Sequence, residues 1–152
     1  MGEIHENTNL ASEFYILSML YRKGLNASLT LGNKKSVDIM VIKNGKVLTI
    51  DVKGIKKSSS AFPIENCLIA KDHFIVFVAY KDISNLTLLE GNPDVYIVPS
   101  MDLVKKFKEF DNFKSCPGDF IYINPKGNRK TVDLNRLCKL KDKYANNWEL
   151  IK

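Results

Sequence analysis

The first twenty-four residues carry apolar side chains at helical spacing. They stand three or four positions apart, with an adjacent pair at the end: Leu10, Phe14, Leu17, Leu20 and Tyr21. This spacing predicts one amphipathic helix, with Thr8 or Asn9 as its N-cap and Gly24 as its stop. Glu13 falls inside the apolar stripe, where an unpaired carboxylate would be costly and usually has a cationic partner.

The pattern downstream of this helix is typical of strands. A short strand is predicted over 27–31, and two β-rich runs follow at 37–43 and 46–55, separated only by Asn44 and Gly45. Asn-Gly between two such runs is a strong signal for a β-hairpin, because a type I′ turn needs positive φ at both central residues.

Later segments alternate between strands and helices. Strands are predicted over 73–80, 94–99 and 120–124, and helices over 101–110 and from an N-cap at Asp133 towards Trp148. The length of 152 residues suits one domain, 1–152. The element order predicts an α/β fold with a mixed central β-sheet and flanking helices.

The predicted hairpin places three charged residues together. If Asn44 and Gly45 form a two-residue loop, opposed residues have numbers that sum to 89, so Asp38 faces Asp51. The two Cβ atoms would then be about 4.5–5.5 Å apart, and Lys53 would point to the same face. The face of the aspartates also carries apolar residues near the turn, which predicts the wall of a cleft: Met40, Ile42 and Val47. The opposite face is wholly apolar and is predicted to pack against the core: Val37, Ile39, Val41, Leu48, Ile50 and Val52.

Two carboxylates placed across a strand pair repel each other unless something compensates. A divalent cation would do so, because hard ions such as Mg²⁺ are typically held by one or two carboxylates, with water and phosphate oxygens completing the shell. The backbone carbonyl of Val52 could add a further ligand. An ordinary exposed charge cluster, in which Lys53 neutralises two strand aspartates, is an alternative that the residues leave open.

The run Ser36-Val37-Asp38, followed by Asp51-Val52-Lys53, resembles the motif of the PD-(D/E)xK phosphodiesterase superfamily, which includes many restriction endonucleases and archaeal Holliday junction resolvases. Glu13, Leu20 and Gly24 resemble the first helix of the resolvase-like branch, and Lys53-Gly54 resembles its motif ending. The proline that usually precedes the first aspartate is replaced by Val37. The resemblance covers about the first half of the chain and implies a restriction-endonuclease-like fold.

The resemblance also implies a chemistry. Asp38, Asp51 and the Val52 carbonyl would hold a catalytic Mg²⁺ or Mn²⁺, Glu13 would hold the same ion or a second one, and Lys53 would orient or help deprotonate the attacking water. Such a site suits hydrolysis of phosphodiester bonds in DNA, because a cation polarises the phosphoryl oxygens and lowers the pKa of bound water.

Polar residues flank the hairpin at the end that carries the acids. Five of them are candidates for contacting nucleic-acid phosphates, with a solvated loop as the alternative: Lys34, Lys35, Lys56, Lys57 and Ser58. The net charge of +6 favours a polyanionic partner. DNA is the expected partner, while RNA and a homodimer stay open. A catalytically inactive domain of nuclease fold, binding nucleic acid or a protein, is the alternative function.

The rest of the sequence bears on the location of the protein and on the roles of its cysteines and histidines. No membrane span or secretory signal is recognisable, so a cytoplasmic protein is expected. Cys67, Cys116 and Cys138 lack the spacing of a disulfide framework or a zinc site and are expected to be packing residues. His5 and His73 have no partner at metal-ligand spacing, and neither is assigned a role.

Overall fold

The structure, a computed structural model, describes residues 2–31, 37–56, 61–64, 67–80, 92–103, 121–124 and 129–151. Its elements in chain order are α1 (Gly2–Arg22), β1 (Asn26–Leu29), β2 (Ile39–Lys43), β3 (Lys46–Ile55), β4 (Ala61–Pro63), β5 (His73–Ala79), β6 (Asp94–Pro99), β7 (Ile121–Asn124), β8 (Arg129–Asp133), α2 (Leu134–Lys139), α3 (Lys141–Tyr144) and a 3₁₀ turn (Trp148–Leu150). Residues 100–103 are also helical, and the rest of the helix predicted over 101–110 lies outside the described residues.

A five-stranded mixed sheet, in the order β1-β2-β3-β5-β6, forms the centre of the fold. Its neighbouring strands are antiparallel except for β3 and β5, which run parallel. Strand β5 is buried along its whole length, as the unbroken apolar run predicts for a strand covered on both faces. The predicted α/β class with a mixed central sheet is confirmed. A smaller antiparallel sheet, β4-β8-β7, was not predicted as a unit.

The β2–β3 hairpin turns at Asn44 and Gly45, which have φ values of 50° and 74°. Its strands pair from Lys43–Lys46 to Ile39–Ile50, so the predicted register is confirmed over these pairs. Strand β3 then continues past the end of β2 to Ile55. The inner face of the hairpin is buried, as predicted, at Ile39, Val41, Leu48, Ile50 and Val52.

Helix α1 covers one face of the central sheet, in a core that includes Ile50 and Val76. The buried side of α1 consists of residues four apart: Thr8, Ser12, Ile16 and Leu20. The predicted apolar stripe is wrong at Leu10, Phe14 and Tyr21, which are 47%, 52% and 55% exposed, and is confirmed at Leu20, which is fully buried. The helix also begins at Gly2 rather than after a cap at Thr8 or Asn9, whereas its predicted end is confirmed by Gly24, with φ of 74°.

Small residues let α1 approach β3 closely. A Cβ atom on Gly54 would overlap Ser12 Oγ and would lie only 3.0 Å from Ser12 Cβ and 3.1 Å from the carbonyl oxygen of Thr8. The Ser12 hydroxyl donates to that same Thr8 carbonyl over 2.7 Å, and its oxygen also lies 3.4 Å from the hydroxyl oxygen of Tyr80. The packing of α1 on this part of β3 therefore requires a residue without a side chain at position 54.

The opposite face of the sheet packs against the smaller sheet and the carboxy-terminal helices, in a core that includes Phe77, Val132 and Leu137. The rings of Phe62 and Phe77 meet edge to face with centroids 4.9 Å apart. Asp133 occupies the N-cap position of α2, as predicted, but the single helix expected towards Trp148 is divided into two short helices and a 3₁₀ turn. No helix in the described part of the chain combines the length and apolarity that a membrane crossing requires.

We expect Gly54→Ala to lower the free energy of unfolding by about 1–3 kcal/mol, the usual effect of overpacking, because the new methyl group overlaps α1. Urea denaturation followed by circular dichroism measures this change. Ser12→Ala removes only one of the clashing atoms, so the double variant should recover part of the loss. Strictly additive effects of the two substitutions would contradict this account of the contact.

Candidate active site

Asp51 and Lys53 lie on the face of β3 that α1 does not cover. Successive strand residues point to opposite faces, so that Val52 and Gly54 lie beneath α1 while Asp51 and Lys53 point away from it. Only 3% of the surface of Asp51 is exposed, whereas 28% of the Lys53 side chain remains accessible. The apolar residues near the turn, predicted to form the wall of a cleft, are exposed: Met40, Ile42 and Val47.

Asp38 departs from the regular pairing of the hairpin. Its N–H donates to the carbonyl of Ile50 over 2.8 Å, while its own carbonyl accepts from the N–H of Thr30 over 2.8 Å. In a regular antiparallel pair, the N–H and C=O of one residue bond to the same opposed residue. The backbone is therefore turned at Asp38, as in a β-bulge, and the predicted in-register opposition of Asp38 and Asp51 stops at the preceding pair, Ile39–Ile50.

The side chain of Asp38 nevertheless reaches β3. Its Oδ2 accepts a hydrogen bond from the backbone N–H of Val52 over 2.7 Å, and only 8% of the residue is exposed. A carboxylate oxygen thus takes the position that a carbonyl of a continuing β2 strand would occupy. Because the N–H and C=O of a strand residue point to the same side, the Val52 carbonyl is also directed towards the side of Asp38.

The carboxylate of Asp51 is contacted at both oxygens. Its Oδ1 lies 2.9 Å from Lys53 Nζ, and its Oδ2 lies 3.3 Å from the Sγ of Cys67, whose thiol donates. Burial raises the pKa of Asp51 to about 6; Lys53 opposes this rise, and the nearby carboxyl group of Asp38 adds to it. The two acids therefore share one small and poorly hydrated volume.

Lys53 is the cation of this group. Burial alone would lower its pKa, but Asp51, with smaller contributions from Cys67 and Asp38, raises the pKa of Lys53 above its usual value of 10.5. The ammonium form is therefore retained at neutral pH. With both carboxyl groups ionised and Lys53 protonated, the three side chains carry a net charge of −1.

His73 also belongs to the surroundings of the site, although its sequence spacing assigned it no role. It is 1% exposed, and its Nδ1 lies 2.7 Å from Thr49 Oγ1, whereas its Nε2 has no hydrogen-bond partner in the part of the chain that the structure describes. Burial lowers the pKa of His73; the charge of Asp38 opposes this effect and that of Lys53 reinforces it. A neutral imidazole therefore lies within electrostatic reach of the site.

The structure brings Asp38, Asp51 and Lys53 together. Glu13 is half-buried on α1, which packs on the opposite face of the sheet. Among the described residues, no group of three or more His, Cys, Asp and Glu side chains is placed to hold a metal ion. The assignment of Glu13 as a ligand stays a prediction.

The predicted phosphate contacts lie mostly outside the described residues. This applies to Lys34, Lys35, Lys57 and Ser58. Lys56 is described: it is half-buried and directly follows Ile55, the last residue of β3.

The three cysteines differ in their surroundings. Cys116 lies outside the described residues, and Cys138 is exposed. Cys67, expected to be a packing residue, contacts Asp51. A single cysteine forms no spacing pattern with other residues, so the contact between Cys67 and Asp51 could not be predicted from the sequence.

The donor atoms suit a hard divalent cation. Mg²⁺ is commonly bound through only one or two carboxylates, so Asp38 and Asp51 meet this requirement without a third acid. A cation would also offset the mutual repulsion of two desolvated carboxylates, the effect that contributes to the raised pKa of Asp51. The observed residues therefore fit the predicted Mg²⁺ or Mn²⁺, with oxygen ligands from Asp38, Asp51 and the Val52 carbonyl.

The fold is shared with a nuclease. No protein-family model and no curated protein matches this sequence. Among solved structures, the bacterial homing endonuclease I-Ssp6803I is similar over 96% of this chain and 90% of its own, with a TM-score of 0.50 and 13% sequence identity. At this level of identity the likeness shows the fold alone, and the protein therefore has an endonuclease-like α/β fold.

The pH dependence of stability should report on Asp51. Its pKa in the folded protein, about 6, lies above the ordinary value of 3.8, so the folded state binds this proton more tightly than the unfolded chain does. The stabilisation of the folded state by this proton is complete below the ordinary pKa and is lost as pH rises through about 6. We therefore compare the free energy of unfolding of the wild type with that of Asp51→Asn in the absence of metal. The wild-type value minus the variant value should fall by about 2 kcal/mol between about pH 4 and pH 7.

Urea denaturation at each pH measures this difference. Asp142→Asn, at an exposed acid in α3, is the matched control and should follow the wild-type profile. Parallel pH profiles for the wild type and Asp51→Asn would show that the carboxyl of Asp51 has an ordinary pKa in the folded protein.

Proposed function

We propose that this protein is a metal-dependent endonuclease of the PD-(D/E)xK type that hydrolyses phosphodiester bonds in DNA. The observation that carries the proposal is the buried pair of Asp38 and Asp51 beside Lys53, at the point where β3 extends beyond β2. The endonuclease-like fold supports it.

An ordinary exposed charge cluster does not account for this arrangement. In such a cluster the acids would be hydrated, whereas Asp38 and Asp51 are 8% and 3% exposed. Burying two neighbouring carboxyl groups with only one cation costs free energy, and such a local cost is typical of functional sites. The raised pKa of Asp51 is a direct consequence of that cost.

In the proposed mechanism, Asp38, Asp51 and the Val52 carbonyl would hold Mg²⁺ or Mn²⁺. When bound, such an ion polarises a phosphoryl oxygen and lowers the pKa of a coordinated water. The hydrogen bond from Val52 N–H keeps one oxygen of Asp38 in place, which leaves the other oxygen for the cation. Glu13 is proposed as a ligand of this ion or of a second one.

Lys53 has the role of a hydrogen-bond donor in this proposal. Because its pKa is raised, it is a poor acceptor of the proton of a water molecule at neutral pH. Its ammonium group is better suited to orient the attacking water and to stabilise the negative charge that develops on the phosphate. Its partial exposure leaves it accessible to a substrate.

The substrate is proposed to be DNA, held by phosphate contacts from the residues that flank the hairpin. Lys56 follows β3 directly after the site and is the described member of the proposed set, which also includes Lys34, Lys35, Lys57 and Ser58. Phosphate contacts of this kind position a nucleic acid without reading its sequence. RNA as a substrate, a homodimer and a cytoplasmic location stay open to experiment.

We expect the wild type to nick supercoiled plasmid or to cut branched DNA in the presence of Mg²⁺ or Mn²⁺ and to be inactive with EDTA. Asp38→Ala, Asp51→Asn and Lys53→Ala should each lower the cleavage rate by about 10²–10³-fold, the usual effect of removing an electrostatic group from an active site. Gel assays of purified variants measure these rates.

Two surface variants serve as matched controls. Lys46→Ala, at the exposed end of the hairpin, and Asp142→Asn should cleave at the wild-type rate. Equal cleavage by the wild type and the site variants would exclude this site as the source of activity. Absence of cleavage, together with salt-sensitive DNA binding that is indifferent to metal, would instead identify a catalytically inactive nucleic-acid-binding domain.

Metal binding should stabilise the folded protein in a pH-dependent way. At a concentration about 100-fold above its dissociation constant, Mn²⁺ should add about 2.7 kcal/mol to the free energy of unfolding. This gain should be present at pH 7.5, where Asp51 is ionised, and largely absent at pH 5, below its pKa of about 6. Urea denaturation with and without Mn²⁺ measures it, and an equal gain in Asp51→Asn would contradict the proposed metal site.

A further inference from the structure

Cys67 contacts the candidate site from outside the hairpin. Its Sγ lies 3.3 Å from Asp51 Oδ2, whereas Lys53 Nζ lies 2.9 Å from Asp51 Oδ1. The two donors therefore bind different oxygens of the same carboxylate. Together they define the plane in which the carboxylate of Asp51 lies.

The position of Cys67 is itself fixed by the fold. Its backbone N–H donates to the carbonyl of Ile64 over 3.2 Å, in the segment between β4 and β5. Its half-buried side chain packs against the core on the same sheet face as Asp51, the core that includes Phe62 and Ile75. The thiol is therefore held by an element other than the strand that carries Asp51.

A carboxylate that binds a metal ion is usually oriented by hydrogen bonds to other groups, and loss of such a partner typically costs 10–100-fold in metal affinity. Each carboxylate oxygen has two lone pairs, so Asp51 Oδ2 can accept a hydrogen bond from the thiol and still coordinate a cation. Without this donor, Oδ2 of Asp51 loses the hydrogen bond from the thiol, while Oδ1 keeps its contact with Lys53.

We propose that Cys67 is a positioning residue of the metal site, whose thiol fixes the orientation of the Asp51 carboxylate for binding a divalent cation. This inference rests on the proposed function. Cys67 does not bind the ion itself and takes no part in proton transfer.

Mn²⁺ binding, measured by electron paramagnetic resonance of free Mn²⁺, tests the proposal independently of cleavage. Cys67→Ala should weaken Mn²⁺ binding by about tenfold, the lower end of the usual range, because a thiol is a weak donor. Cys67→Ser keeps a donor and should remain within about threefold of the wild type. Cys138→Ala, at an exposed cysteine remote in sequence, should bind as the wild type does.

Cleavage kinetics supply a second readout. The metal concentration for half-maximal activity should rise about tenfold in Cys67→Ala, while the rate at saturating Mn²⁺ stays within about twofold of the wild type, because Lys53 is unchanged. If Cys67→Ala does not fold, Cys67→Val keeps the volume of the side chain without the donor and takes its place.

Wild-type Mn²⁺ affinity in Cys67→Ala, or the same loss in Cys67→Ser as in Cys67→Ala, would overturn the positioning role. Equally weak Mn²⁺ binding by the wild type and Asp51→Asn would overturn the metal site itself and this inference with it. The two failures are thus distinguished by whether the wild type binds Mn²⁺.

Discussion

The hydrogen bond from the backbone N–H of Val52 to the carboxylate of Asp38 determines the geometry of the candidate site. It forms because β2 stops pairing at Ile39, and the N–H of Asp38 turns to the carbonyl of Ile50. A continuing β2 would have satisfied Val52 with a backbone carbonyl and left the Asp38 side chain free to point elsewhere. With the side chain as acceptor, an acid is brought to β3 and the backbone donor is still paired.

Burial then determines the chemistry that this geometry allows. The same core that covers the central sheet removes water from Asp51; Lys53 offsets part of the resulting cost, and Asp38 adds to it. Lys53 compensates one carboxylate and Cys67 contributes a neutral donor, so one negative charge remains without a counter-charge among these side chains. The uncompensated negative charge favours binding of a divalent cation. In a purely structural cluster the same charge would only destabilise the fold.

Packing on the other face of β3 supports the site from behind. Gly54 lies between Lys53 and Ile55, the buried last residue of β3. Because it has no side chain, Ser12 and Thr8 of α1 pack directly against the backbone of the strand. A helix seated this closely restrains the strand that carries both site residues. The positions of Asp51 and Lys53 thus depend on two cores at once, one on each face of the sheet.

The β2–β3 hairpin was determined by the sequence alone. Asn44 and Gly45 specify the hairpin through their positive φ values, and the alternation of apolar residues specifies its register and buried face. Tertiary structure decided the rest. Both sides of α1 carry apolar residues, so its buried face depended on which side could approach Gly54, and the sequence pattern alone misplaced Leu10, Phe14 and Tyr21. The contact of Cys67 with Asp51 and the position of His73 beside the site depend on strands far apart in sequence, because the parallel pairing of β3 with β5 is a long-range interaction that no local pattern encodes.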